Sequence, residues 1–185
     1  MTVKILLLVI IYFILTATHL PLFLQEKNIM AIQIGQPAPD FTLRDTQKNK
    51  VTLSEQKGKN VLLLFFPLAF TSTCTKELCI TRDNIAAYNA LDAQVYGISV
   101  DSLFSLGKFK EEQQLNFTLL SDFNKTVSTA YGAIYEHFFN DMDGVSKRSA
   151  FVIDKQGIVR YAEVLENASE IPNFEAIQKC LKEIN

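Results

Sequence analysis

Cys74 lies at a point in the sequence where a cysteine can react. It follows the apolar run Val61–Phe66, which predicts a fully buried strand, and it precedes apolar residues at helical spacing. A cysteine in the first turn of a helix lies beside unpaired backbone N–H groups and the positive end of the helix dipole, and both stabilise a thiolate. Pro67 fixes the turn out of the strand, and Thr71 places a hydroxyl three residues before the sulfur. The pattern therefore predicts a nucleophilic thiolate at the carboxyl end of a strand.

The composition narrows the classes of function. The chain has 185 residues, 48% of them hydrophobic and 21% charged, which is enough for one domain with a sizeable core. A net charge of -2 gives no sign of a surface that binds nucleic acid. The three cysteines, Cys74, Cys79 and Cys180, are too few for a disulfide scaffold, and at least one of them must stay unpaired. No histidines and cysteines have zinc-site spacing, so the sequence predicts no metal and no cofactor.

The elements that must position Cys74 follow from hydrophobic periodicity and turn residues. The predicted elements are a hairpin at 41–53, a buried strand at 61–66, a helix at 74–90, a strand at 95–100, a helix from 101 or 102 to about 115, an extended piece at 117–120, a helical piece at 124–131, a hairpin with strands at 150–153 and 158–164, and an amphipathic helix at 173–184. Strand–helix–strand alternation followed by a hairpin predicts an α/β fold, a mixed sheet with helices on both faces. Cys74 is then expected at the carboxyl edge of that sheet.

Residues 1–30 form an apolar N-terminal segment whose role stays open. Val3–Leu24 is long enough to span a bilayer and carries Lys4 as its one charge. We weigh three interpretations: an over-extended start with translation from Met30, which we favour, a membrane anchor, and a cleaved signal. The first predicts a cytoplasmic protein, and the other two predict a membrane-anchored or exported one. In each case the folded domain is expected over residues 32–185.

Three separated motifs resemble the peroxiredoxins, which are thiol peroxidases with a thioredoxin-like fold. Pro67-x-x-x-Thr71-x-x-Cys74 resembles their active-site signature, Pro37–Phe41 their entry segment, and Arg148–Asp154 the arginine and hairpin that complete their pocket. The resemblance covers residues 32–184 and implies a thioredoxin-like fold. Within the family, segments 66–71 and 97–101 are most similar to the AhpE-type branch. Segment 74–84 is more similar to the PrxQ, or bacterioferritin-comigratory, branch.

The resemblance implies a thiol peroxidase that reduces hydrogen peroxide and organic hydroperoxides, with the Cys74 thiolate attacking the O–O bond to give a sulfenic acid. Arg148 keeps its charge, so it can hold the thiolate and bind peroxide oxygen. The Thr71 hydroxyl is expected to form a hydrogen bond as charge moves to the leaving oxygen, and Pro67 to keep water off the sulfur. Glu77 is expected to orient Arg148.

Cys79 is the favoured resolving cysteine, by resemblance to the PrxQ branch, with thioredoxin or a similar dithiol as reductant. On an intact helix, however, a residue five positions later is rotated by about 140° around the helix axis and lies about 7.5 Å farther along it. That separation is too large for a disulfide, so a Cys74–Cys79 bond requires the first helical turns to unwind. Cys180 is expected only to pack in the core. The AhpE-like resemblance is also compatible with a homodimer, with Phe138–Phe139 as a candidate contact.

Several other functions stay open alongside this interpretation. A one-cysteine peroxidase would use an external resolving thiol. A thioredoxin-like disulfide oxidoreductase normally carries Cys-x-x-Cys, and a copper chaperone of similar fold carries Cys-x-x-x-Cys with a distant histidine, whereas this chain has Cys-x-x-x-x-Cys. A redox sensor or holdase is a further alternative. Peroxide consumption with a dithiol, compared with metal uptake and insulin-disulfide reduction, separates these functions.

Overall fold

The structure, a computed structural model, describes residues 32–185, so the predicted N-terminal segment 1–30 lies outside the described residues. The strands within this range, in chain order, are β1 (Thr42–Asp45), β2 (Lys50–Thr52), β3 (Asn60–Phe65), β4 (Ala93–Ser99), β5 (Thr118–Ser121), β6 (Ile134–His137), β7 (Asp143–Ser146), β8 (Ser149–Ile153) and β9 (Val159–Val164). The α-helices are α1 (Ser72–Asp83), α2 (Ile85–Ala90), α3 (Leu103–Glu112), α4 (Thr126–Ala130) and α5 (Phe174–Ile184).

Seven strands form one mixed sheet in the order β2-β1-β5-β4-β3-β8-β9. The central strands β3, β4 and β5 are parallel, whereas β8 runs antiparallel to both β3 and β9. The two hairpins predicted from the sequence are β1–β2 and β8–β9. The α/β class with a mixed sheet is therefore confirmed.

The buried strand β3 divides the core into two layers. All six of its residues are buried, because helices cover both faces of the sheet. Leu62 and Leu64 pack with residues of α1, α2, α3 and α5, whereas Leu63 and Phe65 pack with residues of α4. The alternation is the period of two expected for a strand. Helices on both faces are confirmed.

The helix that carries Cys74 differs from its predicted bounds of 74–90. It begins at Ser72, and Asn84 separates it from α2. The Asn84 backbone has φ −105° and ψ 9°, and its side-chain amide donates to the carbonyl of Ile80 at 2.8 Å. An asparagine side chain competes with the main chain for such hydrogen bonds, which periodicity alone does not reveal.

The end of α3 also comes earlier than the predicted Leu115. Gln114 adopts a left-handed backbone with φ 52°, the Leu115 N–H donates to the Lys110 carbonyl at 3.0 Å, and the Gln114 N–H donates to the Glu111 carbonyl at 3.2 Å. This pair of hydrogen bonds is a Schellman motif, which stops the helix at Glu112 without the usual glycine.

The hairpin β6–β7 has no counterpart among the predicted elements. It forms a separate two-stranded sheet in which Ile134 pairs with Ser146 and His137 with Asp143. Its strands are short and half exposed, so they lack the apolar run that marks β3. Within residues 32–185, no helix combines the length and the apolar character needed to cross a membrane.

Gly97 in β4 provides a test of the core packing. A Cβ atom added there would lie 2.6 Å from Cδ2 of the fully buried Leu119. We expect Gly97→Ala to lower the free energy of unfolding by about 1–3 kcal/mol through overpacking.

Gly107→Ala is the matched control, because Gly107 lies in α3 and its added Cβ would make only an ordinary 3.8 Å contact with Thr46. It should raise stability by about 0.5–1 kcal/mol, since alanine favours a helix. Denaturant unfolding of both variants measures the difference, and equal effects would contradict this packing.

Candidate active site

Cys74 is the third residue of α1, directly beyond the buried strand β3. Thr71 precedes the helix in an extended conformation, and its carbonyl accepts the Thr75 N–H at 2.9 Å. The Cys74 side chain is 1% exposed. The helix start therefore places a buried sulfur where free backbone N–H groups and the helix dipole favour negative charge.

The turn between β3 and α1 is anchored by Asp101, a residue that the sequence analysis did not assign to the site. Its Oδ2 accepts the Ala69 N–H at 2.8 Å and the Ser99 hydroxyl at 2.6 Å. Phe70 in the same turn adopts φ 66°, a left-handed backbone rarely seen for an aromatic residue, and its ring packs 5.0 Å from that of Phe109. The sequence signal was an aspartate just beyond the carboxyl end of β4, where α/β sheets place polar site residues.

Arg148 reaches the same point from the next strand of the sheet. It directly precedes β8, whose first residue, Ser149, pairs with Phe65 at the end of β3. Its Nη2 lies 3.3 Å from Cys74 Sγ, and its Nη1 donates to Glu77 Oε2. The structure thus brings together three of the predicted site residues. Cys74 and Glu77 lie on α1, and Arg148 follows more than 70 positions later in the chain.

Glu77 is fully buried, one helical turn after Cys74. Burial raises its pKa to about 7, although the nearby Arg148 guanidinium opposes that rise. Its Oε1 has no hydrogen-bond partner among the described residues, whereas Oε2 is bound to Arg148. Two groups that can be anionic, Cys74 and Glu77, therefore share one guanidinium away from water.

A pocket of about 340 Å³ opens onto the sulfur. Cys74 and Arg148 line it together with the predicted Pro67 and Thr71, and Pro67 is buried. The Thr71 hydroxyl donates to the Leu68 carbonyl at 3.0 Å, so its oxygen keeps lone pairs free to accept. The pocket can hold a small molecule against the sulfur and the guanidinium.

The other wall of the pocket comes from two segments without a predicted site role. Phe138 and Phe139, beside the hairpin β6–β7, line it, as do the loop residues Asn167, Ala168 and Ser169 after β9. The rings of Phe138 and Phe139 are in contact, with centroids 4.7 Å apart and planes inclined by 60°. The sequence signal for the aromatic wall is the Phe–Phe pair itself, for which the sequence predicts a dimer contact and no role in the pocket.

Cys79 does not contact Cys74 in this structure. It is half-buried on the same unbroken helix, and its Sγ lies 3.8 Å from Gln113 Oε1. All three cysteines are free thiols. Cys180 packs against the core on α5, where burial raises the pKa of its thiol. Within residues 32–185, no three His, Cys, Asp or Glu side chains lie close enough to hold a metal ion.

The comparisons with known proteins agree with this geometry. A family model described as the AhpC/TSA family matches residues 34–162. The chain belongs to the AhpC/TSA family. Alkyl hydroperoxide reductase E of Mycobacterium tuberculosis is 42% identical over 136 residues, which cover 72% of this chain and 86% of that protein. Peroxiredoxin Bcp of Bacillus subtilis is 40% identical over 130 residues, or 69% of this chain and 82% of that protein.

The structural comparison supports the same membership. The crystal structure of peroxidoxin BcpB from Mycobacterium tuberculosis superposes with a TM-score of 0.74 at 30% identity, over 83% of this chain and 99% of that one. A structure of peroxiredoxin Q from Xanthomonas campestris has a TM-score of 0.71 at 23% identity, which bears on the fold alone. The chain is thus a peroxiredoxin of the AhpE/Bcp type and a thiol peroxidase, as the sequence motifs predicted.

The raised pKa of Glu77 predicts a pH-dependent stability. In the unfolded chain this carboxyl ionises near 4.5, but in the folded protein it keeps its proton until about 7. Between those values the folded state binds more protons, so stability falls as the pH rises. Glu77→Gln removes this loss, which is at most about 3 kcal/mol. Denaturant unfolding at about pH 5 and about pH 8 measures it.

The exposed Glu175 of α5 supplies the control, since Glu175→Gln changes a carboxyl outside the site. This variant should lose as much stability between the two pH values as the unaltered protein does. If Glu77→Gln also keeps the full loss, the Glu77 carboxyl does not hold its proton in the folded state.

Proposed function

We propose that this peroxiredoxin reduces hydrogen peroxide and organic hydroperoxides at Cys74, with Arg148 as the group that stabilises both the thiolate and the departing oxygen. The observation that carries the proposal is the 3.3 Å contact between Arg148 Nη2 and Cys74 Sγ at the base of a pocket. The family's thiol peroxidase activity supports it, as does the name of the relative alkyl hydroperoxide reductase E.

In the proposed reaction the Cys74 sulfur attacks the nearer peroxide oxygen. A sulfur–oxygen bond forms with an electron pair of the thiolate, the O–O bond breaks, and the farther oxygen leaves with that bond's electrons. The leaving oxygen takes a proton from water and departs as water or an alcohol. The sulfur is oxidised by two electrons to a sulfenic acid, and the peroxide is reduced by two.

The contact with Arg148 matters more for the transition state than for ionisation. A free thiol with a pKa of about 8.5 is already a few per cent ionised at neutral pH. Complete ionisation therefore accelerates the reaction only about ten- to thirtyfold, or roughly 1.4–2 kcal/mol. A larger acceleration requires donors fixed where the leaving oxygen gathers charge. Arg148 can supply one, because Nη1 and Nη2 together carry four N–H groups, of which Cys74, Glu77 and the Ala168 carbonyl each take one.

The other site residues support this step in the proposal. Thr71 can accept or, after rotation away from Leu68, donate a hydrogen bond in the pocket. Pro67 presents a buried apolar wall that keeps water off the sulfur. Glu77 holds Nη1, which orients the guanidinium towards the sulfur.

Arg148→Lys tests the transition-state role. Lysine keeps the charge but offers its donors from one point, so it cannot contact Cys74, Glu77 and a leaving oxygen together. We expect thiolate formation, followed by ultraviolet absorbance, to change little, and the second-order rate with hydrogen peroxide to fall by about a hundredfold.

Arg160→Lys is the matched control, because Arg160 pairs with Asp154 at 2.6 Å on the far side of the hairpin β8–β9. It should keep the rate. An Arg148→Lys enzyme that retains both the thiolate titration and the peroxide rate would refute the role assigned to the guanidinium.

We further propose that Cys79 resolves the sulfenic acid as a Cys74–Cys79 disulfide, which thioredoxin or a similar dithiol then reduces. The carboxyl end of α1 is fixed, because Arg82 Nη1 donates to the Gln113 carbonyl at 2.7 Å and Asn116 Nδ2 to the Arg82 carbonyl at 3.1 Å. The first turn has no side-chain cap. Unwinding from Ser72 therefore moves Cys74 towards a Cys79 that stays in place.

Mass spectrometry after one equivalent of hydrogen peroxide tests the resolving step. The unaltered protein and Cys180→Ser should both lose two hydrogens and show a Cys74–Cys79 linkage, whereas Cys79→Ser should accumulate Cys74 sulfenic acid. A persistent Cys74 sulfenic acid with Cys79 free in the unaltered protein would instead establish a one-cysteine mechanism with an external resolving thiol.

The proposal also includes a homodimer and a cytoplasmic location. Phe139 is exposed and packs against Phe138 at the pocket mouth, which supports a contact between two copies there. The cytoplasmic location stays a prediction, because it depends on residues 1–30.

A further inference from the structure

Residues 165–170, which we call the strap, run from the end of β9 across the edge of the active-site pocket. The Leu165 N–H donates to the Arg148 carbonyl at 2.9 Å, so the strap begins as a continuation of the β8–β9 pairing. The chain then turns at Asn167, whose Oδ1 accepts the Ser169 N–H at 3.0 Å and its hydroxyl at 2.7 Å. The turn aims the intervening carbonyl of Ala168 at the pocket wall.

The Ala168 carbonyl binds the edge of the Arg148 guanidinium that Nε and Nη2 form. It accepts from Nη2 at 2.9 Å and from Nε at 3.3 Å, while a second N–H of Nη2 points at the sulfur 3.3 Å away. The guanidinium is a rigid plane with five N–H groups. With Glu77 on Nη1 and the carbonyl on the opposite edge, its rotation is fixed, and one Nη2 hydrogen is directed at the sulfur.

The strap is itself held through Glu166, two residues before Ala168. The Tyr135 hydroxyl donates to the Glu166 carbonyl at 2.9 Å, and Lys147 Nζ lies 2.7 and 2.8 Å from the two carboxylate oxygens of Glu166. The Glu166 side chain is 80% exposed, so water and salt screen that ion pair. The Tyr135 hydrogen bond holds the main chain directly, and Tyr135 is half-buried.

We propose that Tyr135 is a positioning residue for peroxide reduction, because its hydroxyl holds the strap whose Ala168 carbonyl orients Arg148 towards Cys74. Tyr135 contacts neither the sulfur nor the guanidinium through a hydrogen bond. It acts through two intermediate groups, the Glu166 main chain and the Ala168 carbonyl. This inference rests on the proposed function of Cys74 and Arg148 and extends it to a residue of the hairpin β6–β7.

Tyr135 also contacts the pocket wall through its aromatic ring. The Tyr135 ring packs with its centroid 4.9 Å from that of Phe138, and Phe138 lines the same pocket as the strap. Tyr135 therefore contacts both segments of this pocket wall, one through its ring and the other through its hydroxyl. Tyr135→Phe removes the hydrogen bond to the strap but keeps the ring contact with Phe138, so the variant tests the hydrogen bond alone.

Tyr135→Phe is the test. We expect the rate of Cys74 oxidation by hydrogen peroxide, followed by rapid quenching and mass spectrometry, to fall about three- to tenfold, the effect of one lost hydrogen bond. In the Arg148→Lys background, Tyr135→Phe should slow the reaction no further, because its effect passes through the guanidinium. A purely structural effect of Tyr135→Phe would instead add to that of Arg148→Lys.

Tyr161→Phe is the matched control. The Tyr161 hydroxyl donates to Glu163 Oε2 at 2.9 Å within β9, with no hydrogen bond to residues 165–170, and the variant should keep the rate. Thermal unfolding of both variants measures any general loss of stability. The inference is overturned if Tyr135→Phe keeps the rate, if it slows the Arg148→Lys variant by the same factor as the unaltered protein, or if Tyr161→Phe slows the reaction equally. An unaltered protein that fails to reduce peroxide would instead refute the proposed function itself.

Discussion

The buried guanidinium of Arg148 is the constraint on which the site depends. Its side chain is 1% exposed, and a buried charge is costly unless opposite charges and hydrogen-bond acceptors surround it. The protein supplies a carboxyl from α1 and a backbone carbonyl from the loop after β9, and the Cys74 sulfur occupies the remaining direction. Glu77 and the Ala168 carbonyl orient the guanidinium so that one of its N–H groups points at the sulfur. The groups that compensate the buried charge of Arg148 therefore also hold that charge against the Cys74 nucleophile.

The thiolate site depends equally on how the chain leaves β3. Six residues, 66–71, must turn from a buried strand into a helix whose first turn carries Cys74, and Phe70 adopts a left-handed backbone to do so. Such a conformation costs about 1–3 kcal/mol for a residue other than glycine. The ring contact with Phe109 and the hydrogen bonds to Asp101 offset that cost. The strain therefore lies two residues from the helix start, next to the reactive group.

Glu77 introduces a competition within this arrangement. A fully ionised site would hold two anions and one cation without water, and burial opposes this by raising the pKa of the Glu77 carboxyl to about 7. When Glu77 is protonated, it neutralises less of the Arg148 charge, and more of that charge is then available to stabilise the Cys74 thiolate. Electrostatic balance, folding stability and thiol reactivity are coupled here because they involve the same three side chains.

The sequence by itself determined the parts of this protein that local patterns encode. The run 61–66 predicted a buried strand, the spacing from Pro67 to Cys74 predicted a reactive cysteine at a helix start, and the Asp154–Gly157 turn predicted the last hairpin. The tertiary structure decided what depends on distant segments meeting. The Ala168 carbonyl on Arg148, the hold of Tyr135 on the strap and the anchor at Asp101 join residues 20 or more positions apart. A main-chain carbonyl carries no residue-type signal, and the half-exposed strands of β6–β7 carry little periodicity, so only packing could reveal them.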